Sequence, residues 1–361
     1  MIGILFHGPE VFDSGWALRI VQCFSAKKQV RCVLAGTMGR TAAIDSGLQD
    51  IETPGTQPSQ ILRELEAGSE QLVFANYGKT PSSGLLHGAM VAARAGVAVP
   101  LVQIECSAGW FVELNTGSSP EVLELLRWQL QLQKHDPVDV PATIREQDGR
   151  IRRRLTEAAA GDFVLADGII IGRATGEEVV IECEDRRISR THGIEIKTHG
   201  LEKLERRGGI DLKTVKLATT SALRRMDHTP RVMQQTGRGM AFVDHSAINV
   251  YDRIYDVEGA VTVGDDTTAI VGDILYRFGM PLIGITDGDR DVILDNGRIT
   301  QGSVIYTVRM DDVFGLAVFS TIFHKQPVIE ESFKTVRERI SAMLGDQLVA
   351  EHEFWISREN R

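Results

Sequence analysis

The chain has 361 residues, a formal net charge of −9, 43% apolar and 25% charged residues. These proportions exclude disorder as the main state, and the length predicts two or three domains. The negative charge argues against long nucleic acid as a partner, because it repels phosphate.

No apolar run approaches the roughly 20 residues needed to span a membrane. The opening MIGILFHGPE lacks a basic leader and reads as a first strand, not a signal peptide. The four cysteines, Cys23, Cys32, Cys106 and Cys183, form no CxxC pair. Reduced thiols in a cytoplasmic protein are the expectation, not a zinc knuckle.

Residues 1 to about 135 repeat a short apolar run, a glycine-rich turn and an amphipathic segment. The runs at 2–6, 30–35, 71–75 and 99–104 are near-continuously apolar, as strands buried on both faces must be. Asp13 and Ser14 can cap a first helix, and Ser59 a second. A third is predicted over 82–95 with Gly96 as its stop, and a fourth from 120 to about 134. The alternation predicts a Rossmann-like parallel sheet with helices on both faces.

From 136 to 230 the pattern changes. Short runs at 163–165, 168–171 and 179–183 sit among Gly149, Gly161, Gly168, Gly172 and Gly176. This predicts a small β-rich middle domain. From 231 to 361 a second α/β domain is expected. Its strands fall at 240–243, 260–263, 281–285 and 304–308, and its helices at 246–257, from about 267 to Gly279, and at 328–344.

Ligands of open α/β sheets bind beyond the carboxyl ends of the strands. In the first domain those ends carry His7-Gly8-Pro9-Glu10, Gly36-Thr37-Met38-Gly39-Arg40, Asn76-Tyr77-Gly78-Lys79-Thr80 and Glu105-Cys106. Gly78-Lys79-Thr80 is not a P-loop: the glycine required five residues earlier is Val73. Lys79, Thr80 and the Gly78 backbone either meet an anion or form a plain turn with a solvated lysine. Gly36 to Gly39 is not GxGxxG, so no dinucleotide fingerprint is present. That loop either cradles a phosphate with Arg40 or is a tight strand-to-helix turn.

In the last domain, Gly264-Asp265-Asp266 follows one strand and Thr286-Asp287-Gly288-Asp289 follows the next, with Asp244-His245 at the end of the strand before them. On a parallel sheet all three turns fall on one edge. Asp266, Asp287, Asp289 and Asp244 are therefore candidate ligands of Mg²⁺, which takes one or two carboxylates and keeps water. Asp265 and His245 are candidate acid–base groups. A helix cap at Asp266 and a plain turn at 287–289 are the alternatives. Asp273 lies two turns further along and is expected to be too far to share the ion. The acidic edge looks like a TOPRIM-type site by local analogy only, since its first acid is Asp, not Glu, and the spacing is short. In the middle domain, Lys197 and His199 stand before an apparent helix and are candidate anion contacts. The run Arg152-Arg153-Arg154, with Arg186, Arg187 and Arg190, reads as a solvated face.

The segments IGILFHGPEVFDSGWA, LAGTMGRTAAIDSG, NYGKTPSSG, IKTHGLEKL and VGDDTTAIVGDILYRFGMPLIGITDGDRD together resemble an uncharacterised family of conserved archaeal proteins found mainly in methanogens. The resemblance spans nearly the whole chain. It implies a cytoplasmic archaeal protein linked to methanogen metabolism, and no activity. The residues themselves lead to an enzyme that binds a phosphorylated or nucleotide-like small molecule with Mg²⁺ and performs phosphoryl or nucleotidyl transfer or hydrolysis. A non-catalytic metabolite sensor or assembly protein, whose α/β domains bind a metabolite and whose β-rich domain docks a partner, is the alternative, and a homo-oligomer or a protein partner is compatible with either.

Overall fold

A computed structural model describes residues 1–354 except 116, 156–157, 168, 207, 221–223, 225, 245–249 and 289–297, and except the side chains of 199, 203 and 220. The described residues form two compact units, Met1–His228 and Thr229–Arg361.

The first unit begins with β1 (Ile2–His7), α1 (Glu10–Asp13), α2 (Trp16–Ser25), β2 (Val30–Ala35), α3 (Thr37–Ser46), β3 (Ile51–Glu52), α4 (Pro58–Glu66), β4 (Gln71–Asn76), α5 (Pro81–Ala95), β5 (Leu101–Glu105), β6 (Trp110–Glu113), α6 (Pro120–Glu124) and β7 (Gln133–Lys134). The strands make one sheet in the order β3-β2-β1-β4-β5-β6-β7. The first five are parallel, and β6 runs against β5. The order reverses after β3, so the crossovers before and after the reversal cover opposite faces. Ala17, Ile20 and Phe24 of α2 and Ala42 of α3 pack on Ile2, Ile4 and Phe6. On the other face, Ile61, Leu62 and Leu65 of α4 and Val91 of α5 pack on Leu5, Leu72 and Phe74. Each large aliphatic or aromatic side chain among these contributes about 1.5–3 kcal/mol on burial.

The helix expected over 120–134 is shorter. It passes into one π-helical turn over Leu125–Gln129, and Gln133 and Lys134 leave it to pair with β6. β3 and β6 escaped the sequence reading because both are short. β3 has two residues and lies at the sheet edge.

The same unit continues through β8 (Ile144–Gln147), β9 (Arg150–Leu155), β10 (Phe163–Ala166), β11 (Ile169–Ala174), β12 (Val179–Glu184), β13 (Arg187–His192), β14 (Ile194–Ile196), α7 (Thr198–Arg206) and β15 (Leu217–Thr220). Two four-stranded sheets, β14-β11-β10-β15 and β13-β12-β9-β8, enclose a core of Val164, Ile171, Val179, Ile181 and Leu212. Arg224, beyond β15, is buried between Asp13 and Asp45 and pairs with both.

The second unit contains β16 (Met240–Asp244), α8 (Val250–Arg253), β17 (Gly259–Val263), α9 (Asp265–Tyr276), β18 (Leu282–Thr286), β19 (Val304–Val308), α10 (Asp311–Thr321), β20 (Val328–Ile329), α11 (Phe333–Leu344) and β21 (Leu348–Glu353). Its sheet runs β20-β16-β17-β18-β19-β21. The four central strands are parallel, and the edges are antiparallel. α10 and α11 cover Phe242, Val263, Ile285 and Tyr306. α9 lies close on the sheet because Gly284 has no side chain; a Cβ there would stand 2.7 Å from Thr268 Cγ2.

Two elements depart from the sequence reading. The helix expected over 328–344 begins only at Phe333, because Val328 and Ile329 pair with β16. α10 went unrecognised because it is apolar nearly all round: Phe314 and Val318 are buried while Val313 and Leu316 are exposed, which erases the helical period. Of the helix expected over 246–257, residues 246–249 lie outside the described residues, and 250–253 form α8.

Candidate functional site

Two parallel-sheet edges gather polar groups, one in each unit.

In the first unit, β1, β4 and β5 end in register: His7 faces Asn76, and Asn76 faces Glu105. The three side chains share the face that carries Leu5 and Phe74, by the two-residue period of strands. His7 Nδ1 lies 2.9 Å from Asn76 Oδ1. Asn76 Nδ2 donates to Glu105 Oε2 at 3.0 Å. Glu105 is fully buried, and its Oε1 accepts from the Gly78 N–H at 2.8 Å and the Ser107 hydroxyl at 2.7 Å. Burial still pushes its carboxyl above the ordinary value, against the pull of these donors. The His7 ring stacks on His87 of α5 with 4.4 Å between centroids.

Glycines make the room. A Cβ on Gly84 would stand 2.0 Å from Glu105 Oε2, and one on Gly88 1.9 Å from Gln103 Oε1. The two glycines lie four apart on α5, so both face β5. Gly36 is the N-cap of α3 with φ 97°, a conformation that favours glycine. Gly39, in the first turn, is buried and lies against the Gly8 backbone; its Cβ would meet the Gly8 carbonyl carbon at 3.6 Å. Arg40, also on α3, is half-buried.

Lys79 has a role the sequence reading did not anticipate. Its Nζ donates to Asp162 at 2.5 Å and to Thr219 Oγ1 at 2.9 Å. Lys79 is ion-paired here and not simply solvated. Thr80 caps α5 in a capping box with Ser83, which gives Thr80 a structural role. Lys197 is half-buried just before α7; the His199 side chain lies outside the described residues. The arginines of β9 meet glutamates across the strand pair: Arg150 with Glu184 at 3.2 Å, Arg152 with Glu182 at 3.7 Å, and Arg154 with Glu178. A cavity of about 320 Å³ lies at the opposite end of α5, lined mainly by Ala89, Ala92, Val97, Leu101 and Leu114.

In the second unit, Val263 and Ile285 are in register, so Asp265 and Asp287 each stand two residues beyond the same sheet level. Asp265 hydrogen-bonds Asp287, and Asp311 and Asp266 add negative potential. With burial as the largest cause, the Asp265 carboxyl is pushed up to about 8. The N-cap of α9 is Gly264, with φ 96°. Asp266 is therefore inside the first turn and not the cap, and the helix dipole favours both acids there. Asp311 is buried at the start of α10. It was missed because α10 itself was missed.

Asp244 is exposed at the end of β16. His245 and Asp289 lie outside the described residues. Asp273 is held by the fully buried Arg277 at 2.7 Å, a structural pair one turn apart on α9. Among the described residues, no group of three or more His, Cys, Asp or Glu side chains is placed to hold a metal ion.

Residues 4–326 match the family described as uncharacterized protein conserved in archaea, DUF2117. An uncharacterized protein of Methanocaldococcus jannaschii is 34% identical over 368 residues, which cover 98% of this chain and 99% of that protein. No solved structure matches. The chain belongs to this archaeal family, DUF2117.

Proposed function

We propose that this protein is a cytoplasmic enzyme that binds a phosphorylated or nucleotide-like small molecule with Mg²⁺ and carries out phosphoryl or nucleotidyl transfer or hydrolysis. The observation that carries the reading is the pairing of Asp265 with Asp287 at one level of adjacent parallel strand ends. Two carboxylates forced into contact repel unless a proton or a cation lies between them. Mg²⁺ is satisfied by one or two carboxylates, with water and substrate phosphate completing its shell. Two aspartates therefore suffice, and a cage of three protein ligands is not required.

Asp265 and Asp287 would hold the ion, with Asp266, Asp311 and Asp244 adding negative potential. The ion would supply charge neutralisation for a phosphate. The TOPRIM likeness stays an analogy. In the first unit, the order β3-β2-β1-β4-β5 matches the first five places of the Rossmann order 3-2-1-4-5-6. We read 1–135 as that domain, 136–230 as a β-rich domain and 231–361 as a second α/β domain. Gly36, Gly39, Arg40 and Lys197 remain candidate ligand contacts.

Titration calorimetry with Mg²⁺ tests the cation site. Binding is expected in the natural protein and lost in Asp287→Asn; an identical titration in the variant would sink the assignment. A thermal-shift series with nucleotides and sugar phosphates separates the classes. Metal-dependent consumption of the ligand supports an enzyme, whereas stabilisation without product supports a sensor.

A further inference from the structure

Ile151, Leu155, Val179, Ile181 and Cys183 of the sheet β13-β12-β9-β8 point into the core of the β-rich region. By the two-residue period of strands, Arg150, Arg152 and Arg154 of β9 and Glu182 and Glu184 of β12 therefore point outward. Register extends that outer face on both sides. Arg190 of β13 stands opposite Glu182 and Arg187 opposite Glu184, and Arg145 of β8 stands opposite Arg152. Six arginines and no lysine thus share one exposed face with two glutamates.

The glutamates do not balance the arginines. Arg150 meets Glu184 at 3.2 Å, Arg152 meets Glu182 at 3.7 Å, and Arg154 turns to Glu178 just before β12. Arg145, Arg187 and Arg190 are exposed and form no ion pair among the described residues. Arg145 directly opposite Arg152 is a like-charge pair, which destabilises a strand pair. The repulsion is relieved when an anion lies between the two guanidinium groups.

Geometry and chemistry select the anion. A guanidinium fork pairs with phosphate through two parallel N–H bonds. Successive arginines of β9 lie about 7 Å apart along the strand and the four strands span about 14 Å, so the face offers repeated contacts, not one pocket. It exposes no Phe, Tyr, Trp or large apolar side chain. It therefore has no anchor of the kind that carries protein–protein binding and no platform for stacking the bases of a single strand. A flat sheet face cannot enter the major groove of B-DNA, which admits a helix or a two-stranded ribbon. The wide, shallow minor groove of A-form RNA presents its phosphate rims to such a face. The formal charge of −9 does not forbid this, because charges more than about 10 Å from the contact are screened at about 0.1 M salt.

We propose that this face binds the phosphate backbone of duplex RNA, by shape and not by sequence. Arg145, Arg152 and Arg190 form the central row of contacts, with Arg154 on one side of it and Arg150 and Arg187 on the other. Glu182, between Arg152 and Arg190, holds the two side chains in place and moderates the affinity. The face is separate from the strand ends described above, and its binding does not depend on their function.

Fluorescence anisotropy of a labelled RNA duplex two helical turns long, titrated with the full chain between about 50 and 200 mM salt, tests it. Binding is expected, with an affinity that falls steeply as salt rises. Arg152→Gln and Arg190→Gln are each expected to weaken it and to lower the salt slope by about one, whereas Glu182→Gln tightens it. Lys213→Gln, whose lysine pairs with Glu146, is the control and leaves binding unchanged. Arg145→Gln separates binding from folding. It is expected to bind more weakly while its melting temperature stays level or rises, because the like charge opposite Arg152 is gone. No binding at the lowest salt, a slope that ignores the arginine substitutions, a control as weak as those variants, or a lowered melting temperature in Arg145→Gln would overturn the proposal. Equal affinity for single-stranded RNA, for the same duplex as DNA or for polyglutamate would overturn it as well.

Discussion

The two sheet edges share a backbone device and differ in how they treat charge. In both, a parallel strand ends in a glycine with φ near +97°, Gly36 or Gly264, which caps the next helix. At the first edge the buried acid, Glu105, is surrounded by donors, and Lys79 is bound to Asp162. At the second edge the neighbours of Asp265 are other aspartates. The same topology thus yields one edge whose buried acid is met by hydrogen-bond donors and one where, among the described residues, aspartates crowd together. A network of donors is suited to holding a buried side chain in place, and an acidic edge is suited to receiving a cation.

The largest expected effect breaks the first half of that comparison. Asp162 is buried and faces Lys79. Lys79→Ala removes an ammonium group from the buried Asp162 carboxylate, which also accepts from the Ala159 N–H, and destabilises by about 3 kcal/mol. Urea denaturation measures it, and an unchanged midpoint would mean that Lys79 adds nothing to this edge. A smaller loss, about 1–3 kcal/mol, is expected for Gly84→Ala. The added methyl must displace the Glu105 carboxylate from its donors. Ala89→Ser, on the same helix, has no such clash to create and serves as the control. Equal losses in the two variants would show that the glycine is not shaped to the glutamate.

The strand ends, the alternation of strand and helix and the acidic turns were legible in the sequence because each is written locally, in apolar runs and in the residues that follow them. The partners of those residues were not. Lys79 meets Asp162 and Thr219 from 83 and 140 residues away. Asn76 and Glu105 stood at recognised strand ends, yet nothing local says that His7, Asn76 and Glu105 share one register line. That follows from strand order, which periodicity does not encode. Asp311 was hidden for a different reason: the helix that carries it has apolar residues on both its buried and its exposed sides. The register of a parallel sheet and the helices without an amphipathic stripe are where reading along the chain fails here.

The pH dependence sharpens the second half of the comparison, and its sign is decisive. Asp265 titrates near 8 in the folded protein against an ordinary value of 3.8. Between those values the folded state holds a proton that the unfolded state has released, so stability falls as pH rises from about 4 to about 8 and levels off above. Asp265→Asn, neutral at every pH, is expected to remove this downward slope from urea midpoints taken at pH 5, 7 and 9. Saturating Mg²⁺ is expected to remove it as well, because a cation takes the place of the proton on Asp265 and is released only at low pH. Glu105 is raised by burial too, so Glu105→Gln also flattens the profile. The donors around Glu105 oppose its shift, and Mg²⁺ has no site there. A slope that responds to Glu105→Gln and not to Mg²⁺ would place the uncompensated charge at the wrong edge.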